Sequence, residues 1–299
     1  MLTVTEDEII WGSSAVDNDG QLLYAVGFGH GDAIHLADLD PDRPGYEVFD
    51  VHEESVGSYG ADLHDARTGE LLVRKTSDRD TGRGLAADYD ATYRGSEFTY
   101  ATQTSSYKIN GVAFSSSNPG MNFRIFWDGD EHEELLDDIT LTKWKDGSTS
   151  TLGLGFSRGG LGNFGSPASC NGTKATPCLQ ADLFGDWREE LVFWDSNNAA
   201  SLLVYSSAYT TSYRVPTLMH DHVYRMGICW QNVAYNQPPH LGYYLPDYIE
   251  SFQGMESTGI QEVEMKDIHD GTVYNLMGVP VNNPTKGIYI TNGKKVYVK

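Results

Sequence analysis

Lys174 ends the turn Asn171-Gly172-Thr173-Lys174, in which one cation follows an amide, a glycine and a hydroxyl. The stretch it opens runs to Gln237 and is rich in acids, amides and rings. It includes Asp182-Leu183-Phe184-Gly185-Asp186-Trp187-Arg188-Glu189-Glu190, Trp230-Gln231-Asn232 and Ala234-Tyr235-Asn236-Gln237. Rings stack on sugar faces, amides bind hydroxyls and a lysine pairs with an acid group, so this palette suits a sugar chain. Arg83, between Gly82 and Gly84, is expected at an exposed turn where it could clamp a second carboxylate. A plain surface arginine in a hairpin is the competing reading.

A second chemistry is written in the acids. Carboxylates at alternate positions, closed by a further acid several residues on, can wrap a hard cation such as calcium in oxygen ligands. The fullest copy is Asp38, Asp40, Asp42 and Glu47. Asp88, Asp90 and Glu97 form another, with Thr92 in place of the third Asp, and Asp128 with Asp130 a degenerate one running on to Glu134. In Asp182, Asp186 and Glu190 the middle ligand is replaced by Phe184, and a hydrogen-bonded structural turn is an equal alternative there. Asx-type turns with solvated charges compete for every copy. Crowding so many carboxylates without cations is costly, which favours the metal.

These turns recur at intervals of about 40–55 residues, each feeding short strands and hairpins, as at Asp19-Gly20. Such repetition predicts an all-β fold of β-propeller blades, with a β-sandwich of repeated hairpins as the runner-up. Residues 1–250 are assigned to the repeats, and 251–299 to a linker followed by a C-terminal β module with a basic finish. The polar segment 247–266 is expected to be a linker or a closing strand.

Composition narrows the function. Of 299 residues, 42 are acidic and 21 basic, for a formal net charge of -21. So negative a surface repels nucleic acid and anionic lipid, and it needs divalent cations to approach an acidic polymer. No apolar run approaches the ~18–20 residues of a membrane span. Cys170 and Cys178 bracket the Lys174 turn; a bridge between them and a pair of unpaired thiols both remain open, while Cys229 reads as core. No histidine pair has zinc spacing, and nucleophile elbows, phosphate loops and dinucleotide fingerprints are absent from the sequence.

The order and spacing of these words resemble the C-terminal half of the rhamnogalacturonan lyases of polysaccharide lyase family eleven. Besides the Lys174 and Tyr235 stretches, Gly29-His30-Gly31-Asp32-Ala33-Ile34-His35 running into the Asp38 turn, Gly82-Arg83-Gly84 and Trp127-Asp128-Gly129-Asp130 carry the likeness, over roughly residues 7–246. The resemblance implies an eight-bladed propeller binding several calcium ions. This chain would cover roughly the later half of the blades, as an N-terminally truncated form. The tail resembles C-terminal sorting modules of secreted Bacteroidetes proteins, which implies secretion or surface attachment; the opening residues lack a signal peptide.

The implied reaction is cleavage of the rhamnose–galacturonate backbone of pectin (rhamnogalacturonan I) by β-elimination, carried out by a monomer. By the same resemblance, Asn171, Gly172 and Thr173 would hold the sugar, and Tyr235 would pack on rhamnose. Lys174 would bind the uronate carboxylate or act as the base. Arg83 is placed by its chemistry as a second clamp, and His30 and His64 are candidates for a calcium shell at the site. A calcium-loaded binding or adhesion propeller without catalysis is the second hypothesis, and a glycoside hydrolase with two paired carboxylates the third.

Overall fold

A computed structural model describes residues 8–54, 59–156, 159–231, 233, 235–253, 272–275, 279–291 and 294–298. The chain divides into two compact units, Met1–Ser251 and Phe252–Lys299.

Early and frequent turns keep the strands of the first unit short and antiparallel. The first sheet holds β1 (Ile9–Trp11), β2 (Ser14–Val16) and β3 (Leu22–Ala25). Gly20, at φ +86°, takes the left-handed conformation that closes the β2–β3 hairpin. Three four-stranded meanders follow. They are β4 (Ile34–Ala37) to β7 (Leu71–Thr76), with β5 (Glu47–His52) and β6 (Gly60–Asp65) between; β8 (Gly84–Ala87), β9 (Glu97–Tyr100), β10 (Ser106–Lys108) and β11 (Ala113–Ser115); and β12 (Phe123–Ile125), β13 (Glu134–Asp137), β14 (Thr140–Lys145) and β15 (Ser148–Thr151). In the fifth sheet β16 (Pro167–Ala168) and β17 (Leu179–Ala181) share one edge of β18 (Glu190–Asp195), and β19 (Asn198–Tyr205) takes the other. The fold is all-β in class, as expected.

Successive sheets stack in chain order. Phe49, Val51 and Leu63 meet Ala86 and Phe98 between the second and third sheets. Leu85 and Tyr89 meet Leu135 and Trp144 between the third and fourth. Phe123, Ile125 and Leu141 meet Leu191 and Phe193 between the fourth and fifth. β8 therefore has both faces covered, and a Cβ at its Gly84 would lie 2.4 Å from Val51 Cγ1. Strand β15, last in its meander, is exposed throughout.

Each acidic turn joins two paired strands, and the glutamate that opens the second of them turns back to cap it. Glu47 Oε2 accepts from the Leu39 and Asp40 N–H, and Glu97 Oε2 from Tyr89 and Asp90. Glu134 Oε2 accepts from Trp127 and Asp128, and Glu190 Oε2 from Leu183 and Phe184. An aspartate closes a smaller ring inside each: Asp40, Asp90, Asp128 and Asp186 accept from the N–H two residues on. The residue before each of the last three glutamates ties its sheet to the preceding turn. Ser96 donates to Leu39, Glu133 to Asp88 and Glu189 to Phe126, all backbone to backbone.

Two helices depart from the strand-and-turn expectation. Helix α1 (His222–Trp230) starts at Asp221, whose carboxylate caps the Tyr224 N–H, and α2 (Leu245–Gln253) carries Pro246 in its first turn. They pack Tyr224, Leu245 and Ile249 against Phe126 and Trp187. Residues 247–253 are thus helical rather than linker or strand; the rest of that segment lies outside the described residues. No helix among the described residues is long and apolar enough to cross a membrane.

The second unit contains one antiparallel sheet, β20 (Val273–Tyr274), β21 (Gly287–Thr291) and β22 (Lys294–Val298).

Candidate functional site

The Lys174 turn projects from the fifth sheet. Its base is a bridge in which Cys170 and Thr176 exchange backbone hydrogen bonds of 2.7 and 3.1 Å. Within it Asn171 (φ +54°) and Ala175 (φ +47°) both take the left-handed conformation, strained for residues with a Cβ. Asn171, Gly172 and Thr173 are exposed, while Lys174 turns inward. Its ammonium donates to Asp32 Oδ2 at 2.7 Å and to the Gly82 carbonyl, and lies 4.8 Å from the centre of the Tyr235 ring.

Three other segments close on that point. Gly82, before β8, brings Arg83, which pairs with Asp137 at 2.8 Å; Asn122 donates to the same carboxylate. The glycine-rich approach to β4 brings Asp32 and His30. His30 Nε2 lies 2.9 Å from Glu53 and 3.5 Å from Asp32. Burial and the Asp32 charge push the Glu53 carboxyl upward. Gln237 fixes the third segment: its amide oxygen accepts from the Ile34 N–H, and its nitrogen donates to the Asp32 and Tyr235 carbonyls. Tyr235 keeps 43% of its surface exposed beside the lysine.

Lys174, Tyr235, His30 and the Asn171–Thr173 backbone therefore converge, with Arg83 on the residue next to Gly82. His64 does not join them. It is buried in β6 with Nδ1 2.7 Å from Asp62, which also binds His52, because its position on the strand points it into the packing against Tyr24. The sequence reading missed Glu53 and Asp137 as site residues. Asp32 stood in the glycine-rich motif without a role, and Gln237 lay in the stretch beside Tyr235.

The acidic turns separate into kinds once their partners are known. Among the described residues, two groups of three acids or histidines bring their ligand atoms within 4.8 Å of one another: His30, Asp32 and Glu53, and Asp128, Asp130 and Glu134. In the second, Lys143 Nζ lies 3.0 Å from Asp128 and 2.6 Å from both Asp130 and Glu134. An ammonium already sits among those three carboxyls, so the donor set does not fit a metal ion. Burial still pushes the Glu134 carboxyl up to about 8, with Lys143 pulling the other way.

In the Asp38–Glu47 turn, Arg43 takes Glu47 at 2.9 Å and Arg94 takes Asp42 at 3.0 Å. Asp38 and Asp88, however, face one small cavity of about 30 Å³ that Glu133 and Tyr244 also line. Burial raises both carboxyls, and Glu97 Oε1 is buried without a hydrogen-bond partner among the described residues. Such oxygens fit a hard cation. Asp90 is otherwise engaged, by Thr92 and by the Trp144 indole at 2.8 Å. The last turn is structural in its contacts: Asp182 accepts from Gly185, Thr217 and Leu218, and Asp186 pairs with Arg188.

The family model of the C-terminal domain of rhamnogalacturonan lyase family 11 matches residues 3–254. The rhamnogalacturonan endolyase YesW of Bacillus subtilis (strain 168) is 49% identical over 243 residues, covering 81% of this chain and 38% of its own length. The exolyase YesX of the same organism is 46% identical over 260 residues, covering 80% and 40%. The crystal structure of YesW is similar with a TM-score of 0.74 at 47% identity, over 80% of this chain and 40% of that one. The chain thus spans about two fifths of the length of these relatives. With 252 matched residues that contain the whole Lys174 cluster, it belongs to rhamnogalacturonan lyase family 11.

Proposed function

We propose that this chain carries the carboxylate-binding part of a rhamnogalacturonan lyase site, which cleaves the rhamnose–galacturonate backbone by β-elimination with calcium bound. The observation that carries the reading is the meeting of Lys174 with Asp32, Gly82 and Tyr235 from segments far apart in the chain. Elimination removes the proton on C5 of galacturonate and expels the 4-oxygen. That proton becomes acidic only when the adjoining carboxylate is neutralised.

Lys174 and Arg83 would hold that carboxylate. Both are already oriented by acids, so a uronate replaces a partner rather than entering empty space. An amine that donates to Asp32 and a carbonyl is better suited to clamp the uronate carboxylate than to take the C5 proton. Asn171, Gly172 and Thr173 offer an amide, a hydroxyl and open backbone to sugar hydroxyls, and the Tyr235 ring offers a face to rhamnose. His30, Asp32 and Glu53 would hold a calcium ion, which would add positive charge beside the carboxylate.

Four-stranded antiparallel meanders that follow one another along the chain support a propeller as the setting. A pectic polymer is met outside the cell, so we read the protein as a secreted or surface monomer, and the β20–β22 sheet as belonging to an export module. Absorbance of the unsaturated uronate product, with rhamnogalacturonan and calcium, tests the reaction. A rise that chelator stops and Lys174→Ala reduces about 100-fold or more is expected. Polymer binding with no rise, equal in the wild type and in Lys174→Ala, would favour a binding module instead.

A further inference from the structure

We propose that Cys170 and Cys178 form a reducible disulfide across the base of the Lys174 turn, and that this bond keeps the lysine against Asp32. The two sulfurs lie 3.3 Å apart and both residues are partly buried. A bond requires them to close by about 1.3 Å, a movement within reach of a side-chain rotation. The backbone beneath is already in register. Cys170 and Thr176 exchange two hydrogen bonds, and the Cys178 N–H donates to Val192 at 2.9 Å, which fastens that leg to β18.

The turn has cause to be clipped. It holds two residues with a Cβ in the left-handed conformation, Asn171 and Ala175. Its tip is exposed, and a Cβ added at Gly172 would meet nothing within 4 Å among the described residues. Packing therefore does little to hold the strained form, whereas a bond across its base removes the extended alternatives. Burial, with Cys178 beside it, pushes the Cys170 thiol up to about 11. Cys229 is exposed on α1 and takes no part.

A low-molecular-weight disulfide serves as the oxidant. One cysteine thiolate attacks it, forming a mixed disulfide and releasing one small thiol. The second cysteine sulfur then displaces the other small thiol. The two cysteine hydrogens and two electrons end on the released thiols. The bond and the lysine position stand apart from the lyase reading; only their importance for catalysis rests on it.

Lys174 itself makes the bond easy to detect, because trypsin cleaves after it, between the two cysteines. In a Cys229→Ser background, the chain is equilibrated with oxidised glutathione, its free thiols are alkylated and it is digested without reductant. Tryptic peptides 159–174 and 175–188 should appear joined, two hydrogens lighter than their sum, and should separate on reduction. A second arm measures acylation of Lys174 before and after reduction, read after digestion with a protease that ignores lysine. Reduction, or Cys170→Ser, should speed labelling roughly 3–10-fold as the turn loosens, and the melting temperature should fall on the order of 5 °C. Two separately alkylated peptides, or glutathione left on either cysteine, would overturn the bond. Unchanged labelling would overturn its role in placing the lysine. Neither arm reads lyase activity, so an inactive protein would bear on the proposed function alone.

Discussion

The capped turns and the Lys174 cluster are made from the same residue types and put them to opposite uses. In the turns, Glu47, Glu97, Glu134 and Glu190 each face inward and give one oxygen to two backbone N–H groups. In the cluster, Asp32 and Glu53 meet side chains instead, Lys174 and His30, beside an exposed ring. Repeated acids cap turns, and the acids that occur once, Asp32 and Glu53, gather around Lys174 and His30. A carboxylate whose lone pairs serve the backbone cannot leave without unmaking the turn, whereas one paired to a side-chain ammonium can exchange partners with a substrate.

Several substitutions can break or sharpen that contrast. The largest effect is expected from Lys174→Ala. Lyase activity should fall about 100–1000-fold, roughly 3–4 kcal/mol of transition-state stabilisation, while urea unfolding changes by less than about 1 kcal/mol. Glu97→Ala should do the reverse. Two buried N–H groups lose their acceptor, so stability should drop by about 2–4 kcal/mol in urea while activity per folded molecule holds. Equal losses of activity from both variants would erase the distinction.

A third test concerns what joins the two regions. His35 and His240 are buried 2.7 Å apart, and His35 Nε2 reaches the Gly84 carbonyl at 3.3 Å. With Nε2 donating there, His35 Nδ1 is the acceptor and His240 Nε2 the donor. Burial lowers His35 to about 4, and lowers His240 well below its ordinary value as well. The unfolded chain therefore binds these protons more readily. The stabilisation is whole above about pH 6.5 and is lost as pH falls toward 4. Relative to His35→Gln, the wild type should lose roughly 2–3 kcal/mol between pH 7 and pH 4.5, measured by urea midpoints at each pH.

Smaller effects sort the turns among themselves. Lys143→Met should destabilise by about 1–3 kcal/mol in chelator, and added calcium should restore part of that loss in thermal melts, because three acids would then lack a cation. Wild-type protein should show no such recovery through this turn. Asp186→Ala removes a half-exposed pair with Arg188 and should cost less than about 1 kcal/mol in the same melts.

Much of the scaffold was legible because it is local. The Asp19-Gly20 turn and the repeated acid pattern are read within a dozen residues, and each falls at a hairpin in the structure. The helices were not read from the sequence, although Asp221 and Pro246 stand where an N-cap and a first-turn proline belong. Nor was what each acid binds. The Asp38–Glu47 turn has the fullest ligand pattern in the sequence, yet Arg43 and Arg94 occupy two of its acids. The turn at Asp128 looks incomplete, yet its acids converge most closely, on Lys143.

The sequence by itself determined many of the strands, the recurrence of the acidic turns and the turn that offers Lys174, since each depends on neighbours along the chain. Only the tertiary structure decided that Lys174 meets Asp32, 142 positions away, and that Arg83 meets Asp137, 54 positions away. Those partners come from segments attached to different sheets. Which charges face one another across sheets follows from how the sheets stack, and stacking is set by Val51 against Gly84 and by Leu85 against Leu135, apolar contacts that carry no mark of the charges they bring together.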